Sequence, residues 1–144
     1  MPDTADLRYP IGKWVPVPYS EKTRDSLMTD IRFLPRQLEY AILNLDEAQL
    51  GTPYREGGWT LRQVIHHVAD SHMNAYIRFK WGLTEDKPTI KPYDEAKWAQ
   101  LPDTEHVPIN VSLTLLHALH ARLYELLKHM QEDDWKRSVV HPEH

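Results

Sequence analysis

With 144 residues, 41% of them hydrophobic and 26% charged, the chain has the size and composition of one globular domain that can bury its own core. It contains no cysteine, which excludes disulfides and thiolate-bound metals and fits a reducing compartment. A net charge of −4 without any Lys/Arg cluster argues against nucleic acid as a partner. No secretory leader is visible at the start, and no apolar run approaches the ~18 residues needed to span a bilayer, so a cytoplasmic protein without a membrane partner is expected.

The first 19 residues carry Pro2, Pro10, Pro16 and Pro18, and proline fixes φ and removes a donor. This arm should be extended and irregular, with Tyr9, Ile11, Trp14 and Val15 available to pin it to the body. Residues 20–45 read as a helix, because Ile31, Leu34, Leu38, Ile42 and Leu45 recur at three and four residues. Pro35 lies inside that pattern and predicts a kink or break. Residues 46–50 suit a short helical turn, and Gly51, Pro53, Gly57 and Gly58 mark a loop. Thr60 and Gln63 then form a capping box that opens a second helix, ending near Leu83 or Thr84. Its apolar stripe is Leu61, Val64, Ile65, Val68, Ala75, Tyr76 and Phe79.

A proline-rich connection follows over residues 85–109, with a short helix expected at 94–101. A connection of this length is either functional or a covering loop in which Trp98 and Leu101 plug the core. A third helix is expected from Asn110 or Ser112, either of which can cap it. It carries Leu116, Leu119, Leu123, Leu126, Leu127 and Met130 and ends near Gln131. Residues 132–137 suit a short turn, and 138–144 look irregular. The chain therefore reads as all-α, with three long amphipathic helices of an up-down bundle behind a proline-rich arm.

Nine histidines are the main hint of chemistry. On a wheel of about 100° per residue, His67, Ser71, Asn74 and Arg78 form a polar ribbon beside the apolar stripe of the second helix. Such a ribbon can line a pocket, or it can be a solvated face. His72 falls within the stripe and reads as a buried histidine bonded to a backbone or hydroxyl group. His66 and Asp70 read as a surface pair. His117 and His120 read as one exposed and one half-buried residue, and His141 and His144 lie on the irregular tail. There is no His-x-x-x-His pair, no Gly-x-Ser-x-Gly elbow and no phosphate loop.

The segment from Thr52-Pro53-Tyr54 through Gly57-Gly58-Trp59-Thr60 to His66-His67-Val68-Ala69-Asp70-Ser71-His72-Met73-Asn74 resembles the YfiT-type branch of the DinB-like superfamily. Tyr76-Ile77-Arg78-Phe79-Lys80, Tyr9-Pro10-Ile11-Gly12, Lys91-Pro92-Tyr93-Asp94 and His141-Pro142 extend the resemblance over nearly the whole chain. It implies a four-helix bundle, usually a homodimer, holding one divalent metal, zinc or nickel, on three histidines. It also implies a metal-dependent hydrolase, or a transferase acting on a low-molecular-weight thiol or another small molecule. The first metal ligand maps onto His67, and the other two come from a last helix expected beyond His144. Relative to that family the single domain, 1–144, is incomplete at its C-terminal end. An open catalytic site needs three protein ligands plus water. Such an ion would lower the pKa of a bound water or thiol toward neutrality. Helical register makes Ser71, Asn74 and Arg78 candidates for orienting substrate, with the forked guanidinium suited to a carboxylate. The alternative is a non-catalytic helical module that binds a partner through the groove left open by the missing helix.

Overall fold

The computed structural model describes residues 6–143. Helices α1 (Glu21–Ile42), α2 (Glu47–Leu50), α3 (Leu61–Thr84), α4 (Glu95–Trp98), α5 (Pro102–His106), α6 (Ile109–Lys128) and α7 (Glu132–Trp135) make up the regular structure. Among the described residues no helix is long and apolar enough to cross a membrane. Among the described residues the β-type pairings are two isolated bridges, Pro53 with Thr60 and Thr89 with Val140.

The long helix α6 is central and packs against both α1 and α3, while α2 and α5 lean on α3. Leu113, Leu116, Leu119, Leu123 and Leu127 of α6 are buried against Ile65 and Ala69 of α3 and flanking residues such as Leu50. This is the expected helical bundle with three long members. The α3 capping box forms as expected: the Thr60 hydroxyl accepts from the Gln63 backbone N–H, and the Gln63 side chain accepts from the Thr60 N–H. Thr60→Ala should cost about 1 kcal/mol, the usual worth of an N-cap side chain, read from urea unfolding followed by circular dichroism. The glycine pair before it earns its place by close approach. A Cβ on Gly58 would come within 2.6 Å of Arg55 Cγ, and Gly57 has φ +66°.

Pro35 does not break α1, which runs continuously and buries the proline. The missing Pro35 N–H would have bonded the Ile31 carbonyl four residues earlier. That carbonyl accepts instead from His120 Nδ1 on α6, at 2.6 Å. A tertiary bond thus replaces the lost helical one.

Three other expectations are corrected. The arm is not pinned by its apolar residues: Ile11 is 98% exposed, Trp14 78% and Val15 71%, with Tyr9 also exposed. Its attachment is polar instead, through Tyr19 Oη donating to Glu132 beside the Arg24–Glu132 ion pair. In the connection, Ile90 and Ala99 fill the core rather than Trp98 and Leu101; Leu101 is exposed and Trp98 is half-buried. Finally, α6 begins at Ile109 after Pro108, without a side-chain cap. Ser112 cannot cap it, because its hydroxyl bonds His66.

Candidate functional site

Three residues of the α3 ribbon, His67, Ser71 and Arg78, open onto one cavity of about 410 Å³. Pro92, Tyr93 and Glu95 of the connection form its second wall, and His141 and Glu143 of the tail its third. The connection is therefore a wall of the site as well as a cover for the core.

These walls are held in place by backbone bonds. The Ile90 N–H donates to the Val140 carbonyl and the Val140 N–H to the Pro88 carbonyl, each at 2.9 Å. Arg137 donates from Nε to the Gly82 carbonyl at 2.6 Å and from Nη2 to the Glu85 carbonyl at 2.8 Å. It thereby satisfies carbonyls at the C-terminal end of α3. Gly82 lets the tail lie close, since a Cβ there would meet Val139 Cγ1 at 3.3 Å.

Within the cavity the His67 ring packs edge-on against Trp59, with centroids 4.8 Å apart. Burial pushes the Tyr93 phenol above its ordinary value, opposed by a hydrogen bond with Ser71. Tyr93 therefore stays a protonated donor, with its ring tilted against Trp98 at a centroid distance of 4.6 Å. Arg78 donates from Nη2 to the Lys91 carbonyl at 3.2 Å. Its Nε is buried without a hydrogen-bond partner, and no other buried side-chain nitrogen or oxygen among the described residues is left in that state. An unpaired buried donor on a fixed cation favours an anionic partner.

The fourth ribbon residue, Asn74, lies outside this lining; its amide donates to the Asp70 carbonyl one turn back. His66 is no surface residue: it is 6% exposed. Its Nε2 donates to the Val107 carbonyl at 3.0 Å, which leaves Nδ1 to accept from the Ser112 hydroxyl at 2.7 Å. Burial accordingly lowers its pKa. His117 is exposed, as expected, and sits 3.1 Å from Glu39 Oε2.

A histidine relay crosses the bundle core. A carbonyl can only accept, so His120 Nδ1 carries the proton given to Ile31, and Nε2 of the neutral ring is an acceptor. His72 Nδ1 then donates to His120 Nε2 at 2.6 Å, which leaves the His72 lone pair on its own Nε2. The partner of His72 is thus another imidazole, not a backbone or hydroxyl group. Burial, together with the nearby His120 and His67, lowers the His72 pKa to about 4, and burial also lowers that of His120.

Sequence spacing did not single out Tyr93 or Glu95, because a loop has no periodicity to read. By spacing His141 was one of two histidines on a loose tail, with the His141-Pro142 resemblance beside it, and it is the Val140 pairing that delivers it to the cavity. Among the described residues no group of three or more His, Cys, Asp and Glu side chains is arranged to hold a metal ion. The described donors alone do not make a three-ligand centre.

An all-helical bundle with a histidine-bearing cavity on its second long helix is the class that fold and site define, and the chain belongs to the DinB superfamily, which residues 31–144 match. More particularly, it is 53% identical over 139 residues to proteins of Bacillus cereus and Bacillus thuringiensis named "putative metal-dependent hydrolase", covering 96% of this chain and 80% of each relative. It also superposes on the structure of YfiT from Bacillus subtilis with a TM-score of 0.92 and 45% identity, over 95% of this chain and 79% of that one. That protein is described as a probable metal-dependent hydrolase with an unusual four-helix bundle topology.

Proposed function

We propose that this protein is a metal-dependent enzyme acting on a small molecule in the His67 cavity, as a hydrolase or as a thiol S-transferase. The observation that carries the reading is the meeting of His67, Ser71 and Arg78 with His141 in one cavity. The names borne by relatives at 53% identity support it. In this reading His67 is a ligand to one zinc or nickel ion. The further ligands required lie outside the set that the described residues provide.

The chain's own contributions are binding and orientation. Trp59 fixes the plane of the His67 ring. Arg78 is braced by the Lys91 carbonyl and brings a positive charge to the cavity wall. Tyr93 and Ser71 are hydrogen-bonded to each other, and the pair keeps one hydroxyl proton for a polar substrate group. The homodimer implied by the family resemblance belongs to the same reading and is checked by sedimentation.

Calorimetric titration with zinc and with nickel tests the metal. Binding of one ion per chain, lost in His67→Ala, supports the reading, which needs ligands beyond those the described residues supply. If neither ion binds saturably and His67→Ala behaves like the parent, the non-catalytic helical module is the better account.

A further inference from the structure

Beside the His67 cavity lies a second one of about 310 Å³, between the C-terminal half of α3 and α7 with the tail. Its walls are largely apolar and include Phe79, Leu83, Met130, Trp135 and Val139. Arg78 lines both cavities. A pocket of a few hundred Å³ with mostly apolar walls and a few placed polar groups is the usual form of a small-molecule site.

The charges at its rim are uneven. Arg137 also lines it, and both of its hydrogen bonds go to neutral carbonyls. The Asp134 carboxylate is engaged by the Gln131 backbone N–H at 2.8 Å. Among the described residues no ion pair involves Arg78 or Arg137. Glu95 and Glu143 belong to the neighbouring cavity, and neither bonds Arg78.

We propose that the apolar cavity holds the apolar body of an amphipathic carboxylate, whose anionic head is bound by Arg78 at the boundary with the His67 cavity. The pairing follows from the residues: a greasy wall for a chain or ring, and at its boundary a guanidinium whose hydrogen bond goes to the neutral Lys91 carbonyl and which no carboxylate neutralises among the described residues. As the substrate class of the enzyme, the proposal rests on the reading of the His67 cavity given above. As a binding site it is tested without metal.

Octanoate is the probe and octan-1-ol the uncharged control, with Trp135 fluorescence and calorimetry as readouts. Octanoate should bind at least about tenfold more tightly than octanol, as one desolvated charge-assisted hydrogen bond allows. Arg78→Gln should abolish that preference and leave octanol binding in place, and Arg78→Lys should retain part of it. Ala75→Leu, which adds volume to the wall, should weaken both ligands. Equal affinities for octanoate and octanol in the parent overturn the proposal. So does an Arg78→Gln protein of native circular dichroism that still prefers octanoate. Octanoate binding without saturable zinc or nickel binding keeps this site and removes the metal reading; the opposite pair of results does the reverse.

Discussion

Leu116→Ala should lower the unfolding free energy by about 3 kcal/mol, within the roughly 2–5 kcal/mol typical of truncating a fully buried leucine. Leu116 is 0% exposed and sits on α6, the helix that packs against both α1 and α3. A void there is lined by elements already braced against each other, so little collapse can refill it. The neighbouring Leu115 is 39% exposed and serves as an internal control. Its truncation should cost well under half as much, because partial burial removes less apolar area from water. Urea unfolding of both variants checks the pair, and similar midpoints for the two would contradict the packing described.

The second large effect is acid lability from the histidine relay. The His72 imidazole is neutral in the folded protein, with its pKa lowered to about 4 by burial and by its histidine neighbours. In the unfolded chain the ordinary value of about 6.5 returns. Between these values the unfolded state binds the extra proton, so stability rises with pH across the window. The contribution is complete above pH ~6.5 and is lost as pH falls toward 4. Allowing for the solvent that reaches the ring, the loss between pH 7 and 4.5 should be about 2 kcal/mol. His66 and His120, both lowered by burial, act in the same direction. His72→Gln keeps an N–H for His120 Nε2 but cannot take up the proton, so its unfolding free energy should vary less over that range. Equal pH dependence in the two proteins would show that His72 titrates normally.

What sequence could and could not reveal divides along one physical line. Helix α3 was legible because its signals are local: a capping box at Thr60 and Gln63 and a stripe at helical spacing. The polar ribbon beside that stripe was legible for the same reason, but spacing left open whether it faced a pocket or solvent; three of its four residues line the cavity. Pro35 was misleading because its local rule is sound and the compensation is remote. The carbonyl it frees is answered by His120, 89 positions away. His66 was misplaced on the surface because the groups that bury it, Val107 at the end of the connection and Ser112 on α6, are more than 40 positions away. Trp98 looked like a core plug by size, yet the small Ala99 and Ile90 took those places. Ile11, Trp14 and Val15 of the arm were expected to pack but stay largely exposed, and the arm is held through Tyr19 instead.

The short pairing of residue 140 with the connection ties two walls of the site together. Pro92 and Tyr93 stand on one side of that rung and His141 on the other. Neither wall can swing outward alone without breaking both amide bonds. Admission of a ligand by loop movement would release the two strips as a unit, so the Ile90 and Val140 amides would exchange with solvent at a common rate, and a ligand bridging both walls would slow the two together.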